Sequence, residues 1–223
     1  MNNTLIDNSI EALSMTATLR KCLAIDGIKT VSIATGYWDI PGLAILQENL
    51  RSFIEKDGTT LRLLIGKDPY IYANQLKSPK YKDANYPLDF IKTDIHELNV
   101  TEEYKDAIRL LLDYCTENND SKIQIRVFRK NENDETQFLH SKCYIFDGKS
   151  NGIGIGIVGS TNFTQKGLQG NAELNYIETA PNQVLSLDKI PGNKSHLIWF
   201  NEKWEISEPW NKQFFNTSVN FYR

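Results

Sequence analysis

A strand–helix–strand pattern near the start of the chain constrains the fold most. Residues 28–35 alternate as a strand does, with Val31 and Ile33 on one face. Apolar residues then recur at helical spacing over 43–54, and the sequence LRLLIG at 61–66 is typical of a buried strand. A helix between two such strands favours a parallel pair, because a parallel connection needs a crossover. We therefore predict an α/β domain with a mixed, largely parallel β-sheet flanked by helices.

The remaining sequence extends this pattern to the end of the chain. Helices are predicted at 7–25, 101–117 and around 199–204, and strands at 122–128, 138–146, 153–158 and 172–178. Residues 67–100 are polar and contain three prolines, which predicts an irregular excursion from the core. A chain of 223 residues can bury a sizeable core, so we predict one domain over residues 1–223.

Charge and composition limit the classes of partner. The net charge is −3 and the pI about 5.7, which argues against coating nucleic acid through bulk positive charge but allows a local basic site. No apolar stretch approaches the ~20 residues that span a bilayer, and the N-terminus lacks the pattern of a secretory signal. The three cysteines are widely separated, which favours neither disulfides nor zinc. We predict a cytoplasmic protein without a membrane partner.

Chemically capable side chains concentrate between residues 140 and 173. His140 and Lys142 are two residues apart, and side chains two apart on a strand share a face. Ser160 and Asn162 repeat this spacing after the next predicted strand. Glu173 follows eleven residues later, at the start of another strand. The spacing thus predicts that an imidazole, an amine, a hydroxyl, an amide and a carboxylate project from neighbouring strands.

These groups fit attack on a phosphodiester. Neutral imidazole is a nucleophile near pH 7, and Lys142 and Asn162 can donate to the phosphoryl oxygens, where charge lies in the transition state. Glu173 can hold the far nitrogen of the His140 ring and so fix its tautomer. The carboxylate-rich stretch at 131–136 lacks the spacing of a metal cage, so we predict neither a metal nor a cofactor.

The same stretch resembles the signature of the phospholipase D superfamily. HSKCYIFD and the later GSTN match its pattern of His-x-Lys, four residues, Asp, then Gly-Ser-x-Asn, through His140, Lys142, Asp147, Gly159, Ser160 and Asn162. GLQGNAE resembles the segment that supplies the carboxylate orienting the imidazole, which is Glu173 here. The resemblance implies a phospholipase D-like fold and a metal-independent phosphodiesterase with a covalent phosphohistidine at His140. It places Asp147 among the motif residues, where holding the turn after its strand is the favoured role.

The resemblance also implies a partner copy of the chain. Two-motif members of the family carry both reacting histidines in one chain, whereas this sequence has one motif, and His96 and His196 lack a lysine two residues later. A two-fold homodimer that places two copies of His140 face to face resolves this. Single-motif members include small bacterial nucleases and restriction endonucleases, and similar domains occur in helicase-linked proteins.

The first hypothesis is therefore a DNA endonuclease, with DNA as its partner and a helicase or DNA-recognition domain as a further associate. A phospholipase or small-substrate phosphodiesterase and a catalytically inactive binding or dimerisation module stay open as alternatives. Tyr37 and Trp38 could stack on a base, or pack in the core. Arg126, Arg129 and Lys130 could form a phosphate-binding edge, or a solvated strand and loop.

Overall fold

An eight-stranded β-sheet organises the residues that the computed structural model describes, which are 5–66, 102–116, 121–128, 139–188 and 194–210. The strands are β1 (Leu5–Asp7), β2 (Thr30–Thr35), β3 (Thr60–Ile65), β4 (Ile123–Val127), β5 (Cys143–Asp147), β6 (Gly154–Gly159), β7 (Leu174–Glu178) and β8 (Glu208–Pro209). The helices are α1 (Met15–Ala24), α2 (Ile40–Ile54), α3 (Glu102–Tyr114), α4 (Pro181–Leu185) and α5 (His196–Glu205). The excursion predicted at 67–100 lies outside the described residues.

The sheet is mixed, as predicted, but the expectation that it is largely parallel is wrong. Its order is β1-β7-β6-β5-β2-β3-β4-β8. Within the described part of the chain, β2–β3 and β3–β4 are the parallel pairs, and the other five pairs of neighbours are antiparallel. The reason is the length of the connections. Helix α2 carries the chain across from β2 to β3, whereas a hairpin joins β5 to β6 and reverses direction.

Local signals explain where the first two helices begin. Asp39 caps α2, because its carboxylate accepts a hydrogen bond from the Gly42 amide, and Pro41 occupies the first turn. Ser14 caps α1 by accepting from the Ala17 amide. The helix predicted from residue 7 therefore begins eight residues late, because residues 5–7 pair with β7 instead. Long-range pairing of this kind leaves no trace in helical periodicity.

The two faces of the sheet are covered unequally. Helices α1, α2 and α3 cover one face, where the strands contribute inward residues such as Ile33, Leu63 and Ile157. The opposite face packs Cys143 and Ile145 against α4 and α5, mainly through Phe200, Val184 and Trp204. No helix in the described ranges is long and apolar enough to cross a membrane.

Part of the second face carries exposed apolar side chains. Four of them, Leu5, Val158, Leu174 and Tyr176, lie on β1, β6 and β7. In the strand register Leu5 is opposite Tyr176, and Tyr176 is opposite Val158, so these three form a row across the sheet. Their strand neighbours Ile6, Asn175 and Ile177 are buried on the other side. Leu174 lies two residues before Tyr176 on β7, on the same face. We call Leu5, Val158, Leu174 and Tyr176 together the edge row. This row borders Gly159 and Glu173, where the motif residues lie.

Candidate active site

The first half of the motif lies immediately before β5. The strand predicted at 138–146 begins instead at Cys143, so the expectation that His140 and Lys142 share a strand face is wrong. The ladder with β2 starts at Ala34 and Cys143, and the chain before Cys143 has left the sheet. The Lys142 ammonium curls back and donates to the His140 carbonyl oxygen at 2.7 Å. Lys142 is 7% exposed, so a buried amine lies directly beside the segment that carries the imidazole.

Two glycines seat this segment against the ends of β2 and β3. A Cβ on Gly66 would overlap the Leu139 carbonyl oxygen and lie 3.0 Å from the Leu139 Cβ. A Cβ on Gly36 would lie 3.6 Å from the His140 Cα and 3.4 Å from the Asn162 Oδ1. The backbone at His140 and the Asn162 side chain are therefore separated by about the width of one side chain. This places the two halves of the motif at the same end of the sheet.

The second half of the motif is the turn that follows β6. The Asn162 Oδ1 accepts hydrogen bonds from the Tyr37 amide at 3.2 Å and from the Thr35 hydroxyl at 3.4 Å. Because the Asn162 amide oxygen faces the chain segment after β2, the Nδ2 group of the same side chain is directed away from that segment. Within the described residues no hydrogen bond holds that group. Asn162 can therefore donate to an anion near His140.

The residues that hold this turn lie outside the motif. Asn175, which is 2% exposed, accepts from the Thr161 amide at 3.2 Å and donates to the Thr161 hydroxyl at 2.8 Å. The Thr35 hydroxyl accepts from the Phe163 amide at 3.0 Å. A buried polar group needs partners, so these bonds fix the turn. The available signal was a polar residue, Asn175, at an inward position of an alternating strand.

Glu173 lies beside Ser160. Its carboxylate accepts a hydrogen bond from the Ser160 hydroxyl and another, at 3.1 Å, from the Asn171 amide group. The phenol of Tyr144 donates to the Thr161 carbonyl at 2.8 Å. Burial, and after it the negative charge of Glu173, raises the pKa of Tyr144, so the carboxylate is close enough to influence this ring. That Glu173 orients the His140 imidazole stays a prediction.

Asp147 does not belong to this cluster. It lies at the far end of β5, about 13 Å along the strand from Cys143. Its carboxylate accepts from the Lys149 amide at 2.6 Å and so holds the turn of the β5–β6 hairpin. Although the resemblance places Asp147 among the motif residues, its side chain lies apart from the others, in a position that suits the predicted turn-holding role.

Of the predicted substrate-binding residues that the structure describes, Tyr37 lies beside the motif, whereas Trp38 and Arg126 have other surroundings. Trp38 is 6% exposed and packs in the core, so its ring offers no surface for a base. Tyr37 is half-buried next to Asn162. The Arg126 guanidinium donates to the carbonyl oxygens of Trp204 and Ser207, at 2.8 and 3.1 Å, at the end of α5. Arg129 and Lys130, like His96, lie outside the described residues.

Fold and site together define a class of protein. A mixed sheet brings His140, Lys142, Ser160, Asn162 and Glu173 to one end, with the amine and the amide close to the segment that bears the imidazole. Such an arrangement suits binding of a phosphoryl group and nucleophilic attack on it. Among the described residues, no three histidine, cysteine, aspartate or glutamate side chains are grouped as metal ligands would be; the prediction of metal independence stays a prediction.

Comparisons with known proteins identify the family. Residues 22–190 match the family described as the phospholipase D-like domain of cardiolipin synthase. Because the match covers most of the chain, this protein belongs to the phospholipase D superfamily, as its motif predicted. It is accordingly an enzyme of phosphodiester hydrolysis or transfer. No curated protein sequence matches the chain.

Solved structures share the fold at low sequence identity. Nuc from Salmonella typhimurium, a phospholipase D family member, is 14% identical, with a TM-score of 0.50 over 92% of this chain and 95% of Nuc. Phosphatidylserine synthase from Haemophilus influenzae is 13% identical, with a TM-score of 0.52 over 99% of this chain and 44% of the synthase. At these identities the likeness shows the phospholipase D-like fold.

Proposed function

We propose that this chain is a metal-independent DNA endonuclease that works through a covalent phosphohistidine at His140. The observation that carries the proposal is the grouping of His140, Lys142, Ser160, Asn162 and Glu173 at one end of β5 and β6, described above. The choice of DNA rests on the single motif, which resembles that of the family's nucleases. A helicase or DNA-recognition domain acting with this chain is part of the same proposal.

In the first step a nitrogen of the His140 ring attacks phosphorus. A P–N bond forms, the bond from phosphorus to the leaving oxygen breaks, and the leaving oxygen takes a proton from a second imidazole. The Lys142 ammonium and the Asn162 amide donate to the non-bridging oxygens, where negative charge is concentrated. Burial of Lys142 strengthens this interaction, because little water competes for the charge.

In the second step water attacks the phosphohistidine. The second imidazole, now neutral, accepts a proton from the water, the P–N bond breaks, and a phosphomonoester leaves. The other histidine in the described ranges, His196, packs over Gly156 in the middle of β6 and carries no second copy of the motif. Because the sequence carries a single motif, we assign the second imidazole to His140 of the partner subunit in a two-fold homodimer.

The edge row is the face proposed for this dimer. Exposed apolar rows rimmed by polar groups mark contact surfaces, and this one adjoins Gly159 and Glu173. A two-fold contact is isologous, so the same row from both copies would meet and bring the two sites together. Replacing Leu174 with glutamate places a charge in that contact. We expect sedimentation to give the mass of a monomer, with loss of turnover on every diester.

The decisive assay is DNA cleavage in excess EDTA, on single- and double-stranded substrates. Wild-type protein is expected to cut, and His140→Ala to be inactive with an unchanged unfolding transition, because the side chain is exposed and contributes little to the core. Lys142→Gln is expected to lose most turnover, while Lys149→Gln at the far end of β5 serves as its matched control. Cleavage by His140→Ala, or a requirement for added metal, would refute the proposal.

The edge row also supports a second candidate, a phosphodiesterase acting on lipids at a membrane surface. In that case the exposed apolar side chains contact lipid instead of a second copy. The Leu174→Glu variant separates the two: a lipid-facing row predicts an unchanged mass in sedimentation and a selective loss of vesicle binding.

A further inference from the structure

A groove of about 410 Å³ opens beside the candidate active site, on the face of the sheet that carries α5. Its walls include Lys142, Val158, Gly159, Lys194, His196 and Trp199. Lys142 and Gly159 also belong to the motif, so the groove is continuous with the place where the phosphoryl group would bind. Its volume lies within the range of pockets that hold small organic groups.

The far wall of the groove is formed by α5. His196 and Trp199 are three residues apart on this helix and therefore lie on the same side. The His196 imidazole packs on Gly156, where a Cβ would come within 2.8 Å of the ring, and its Nδ1 lies 3.3 Å from the Gln183 carbonyl oxygen. The ring can pack this closely on β6 because Gly156 has no side chain. Trp199 is half-buried against the core beneath α5, which leaves part of its indole on the groove.

The wall combines an aromatic surface with cationic groups. Lys142 and Lys194 carry positive charge, and the His196 ring lines the same groove. The Lys194 ammonium pairs with the Glu202 carboxylate at 2.6 Å, so one of these charges is partly balanced. An aromatic surface with cations beside it is the pattern by which proteins bind single-stranded nucleic acid, with bases stacked and phosphates neutralised.

We propose that this groove is a nucleoside subsite, in which a base next to the scissile phosphate stacks on Trp199 and the adjoining phosphate approaches His196 and Lys194. The inference rests on the proposed function and specifies its substrate. A base inside a duplex has both faces covered by its neighbours, so it must unstack to reach Trp199. The enzyme therefore prefers single strands to duplexes.

The test compares two substrates that differ in their bases alone. A single-stranded thymidine oligonucleotide and an abasic strand of equal length present the same phosphates, but only the first can stack. Wild-type kcat/KM is expected to favour the thymidine strand by about tenfold, the size of one base–aromatic stack. Trp199→Leu should bring that ratio close to one, and Trp199→Phe, which keeps an aromatic ring, should retain most of it.

A second pair of variants tests the charges and does not depend on the folding of Trp199→Leu. Lys194→Ala is expected to reduce the salt dependence of oligonucleotide binding, measured in the inactive His140→Ala background, whereas the matched Lys21→Ala on α1 should not. An unchanged thymidine-to-abasic ratio in folded Trp199→Leu would overturn the inference. So would equal salt dependence in the two lysine variants.

The remaining outcomes separate this inference from the proposed function. If wild-type protein cleaves both strands equally, the subsite is refuted while the nuclease assignment stands. A different result is that the wild-type protein cleaves neither strand but hydrolyses phosphatidylglycerol in vesicles, at a rate that Trp199→Leu reduces. The groove then binds a lipid headgroup, and both the nucleoside subsite and the nuclease assignment are overturned. If it cleaves no diester, the proposed function fails first.

Discussion

The contact between Gly66 and Leu139 gives a direct test of how the His140 segment is placed. An added Cβ at Gly66 would overlap the Leu139 carbonyl oxygen and come within 3.0 Å of its Cβ and 3.1 Å of its carbonyl carbon. Ordinary packing distances are about 3.5–4.0 Å, so the segment must move by on the order of 1 Å in Gly66→Ala. Because Leu139 immediately precedes His140, the imidazole moves with it.

This displacement has two measurable consequences. Overpacking a filled position costs about 1–3 kcal/mol of the free energy of unfolding, which denaturant titration measures. A 1 Å misplacement of a reacting group can cost about 100-fold in rate, so kcat of folded Gly66→Ala should fall by about that factor. Both effects have the same cause and should therefore appear together.

The matched control is Gly170→Ala. Its nearest contact for an added Cβ is the Lys166 Cβ at 4.0 Å, so the extra methyl group has room. We expect wild-type stability within about 0.5 kcal/mol and an unchanged rate on DNA. A Gly66→Ala protein that keeps both wild-type stability and wild-type kcat would show that Leu139 does not lie against the end of β3, and the placement of His140 would fall with it.

Three further predictions concern buried groups. Asn175→Ala removes both hydrogen bonds to Thr161, so it should lower the free energy of unfolding by about 1–3 kcal/mol and reduce kcat. A fall in stability with full activity would show that the active turn after β6 does not depend on this residue. Burial raises the pKa of the thiols of Cys22, Cys115 and Cys143 to about 12, so they should resist a thiol reagent at pH 8 until the protein unfolds. The folded pKa values of these thiols exceed the ordinary value of 9.0, so their contribution to the free energy of unfolding is complete below about pH 9. That contribution is lost as the pH rises toward 12. Denaturant titrations that give equal stability at pH 8 and pH 11 would contradict this prediction.

Several features of the site followed from the sequence because they depend on short spacings. His140, Lys142, Ser160, Asn162 and Glu173 were selected by residue type and spacing, and the structure places them at one end of the sheet. The resemblance to the phospholipase D superfamily rested on the same residues, and the family match over residues 22–190 confirmed it.

Other features depended on contacts between distant parts of the chain. The start of β5 is set by where the ladder with β2 begins, and β1 exists because residues 5–7 pair with β7. Asn175, Gly36 and Gly66 support the site from separate strands and loops, so no local spacing identifies their role. The groove beside Lys142 also arises from tertiary packing, since α5 brings His196 and Trp199 there from the last part of the chain.

The sequence by itself determined which chemical groups are available. It also determined that the strands of a mixed sheet, flanked by helices, carry these groups. Side-chain periodicity and motif spacing are local properties, because they depend on residues that are close together along the chain. The tertiary structure decided the direction of most strands, the position of His140 before β5 instead of on it, and the surfaces that border the site. Those features arise from which strands pair and which faces the helices leave uncovered, and such contacts join residues far apart along the chain.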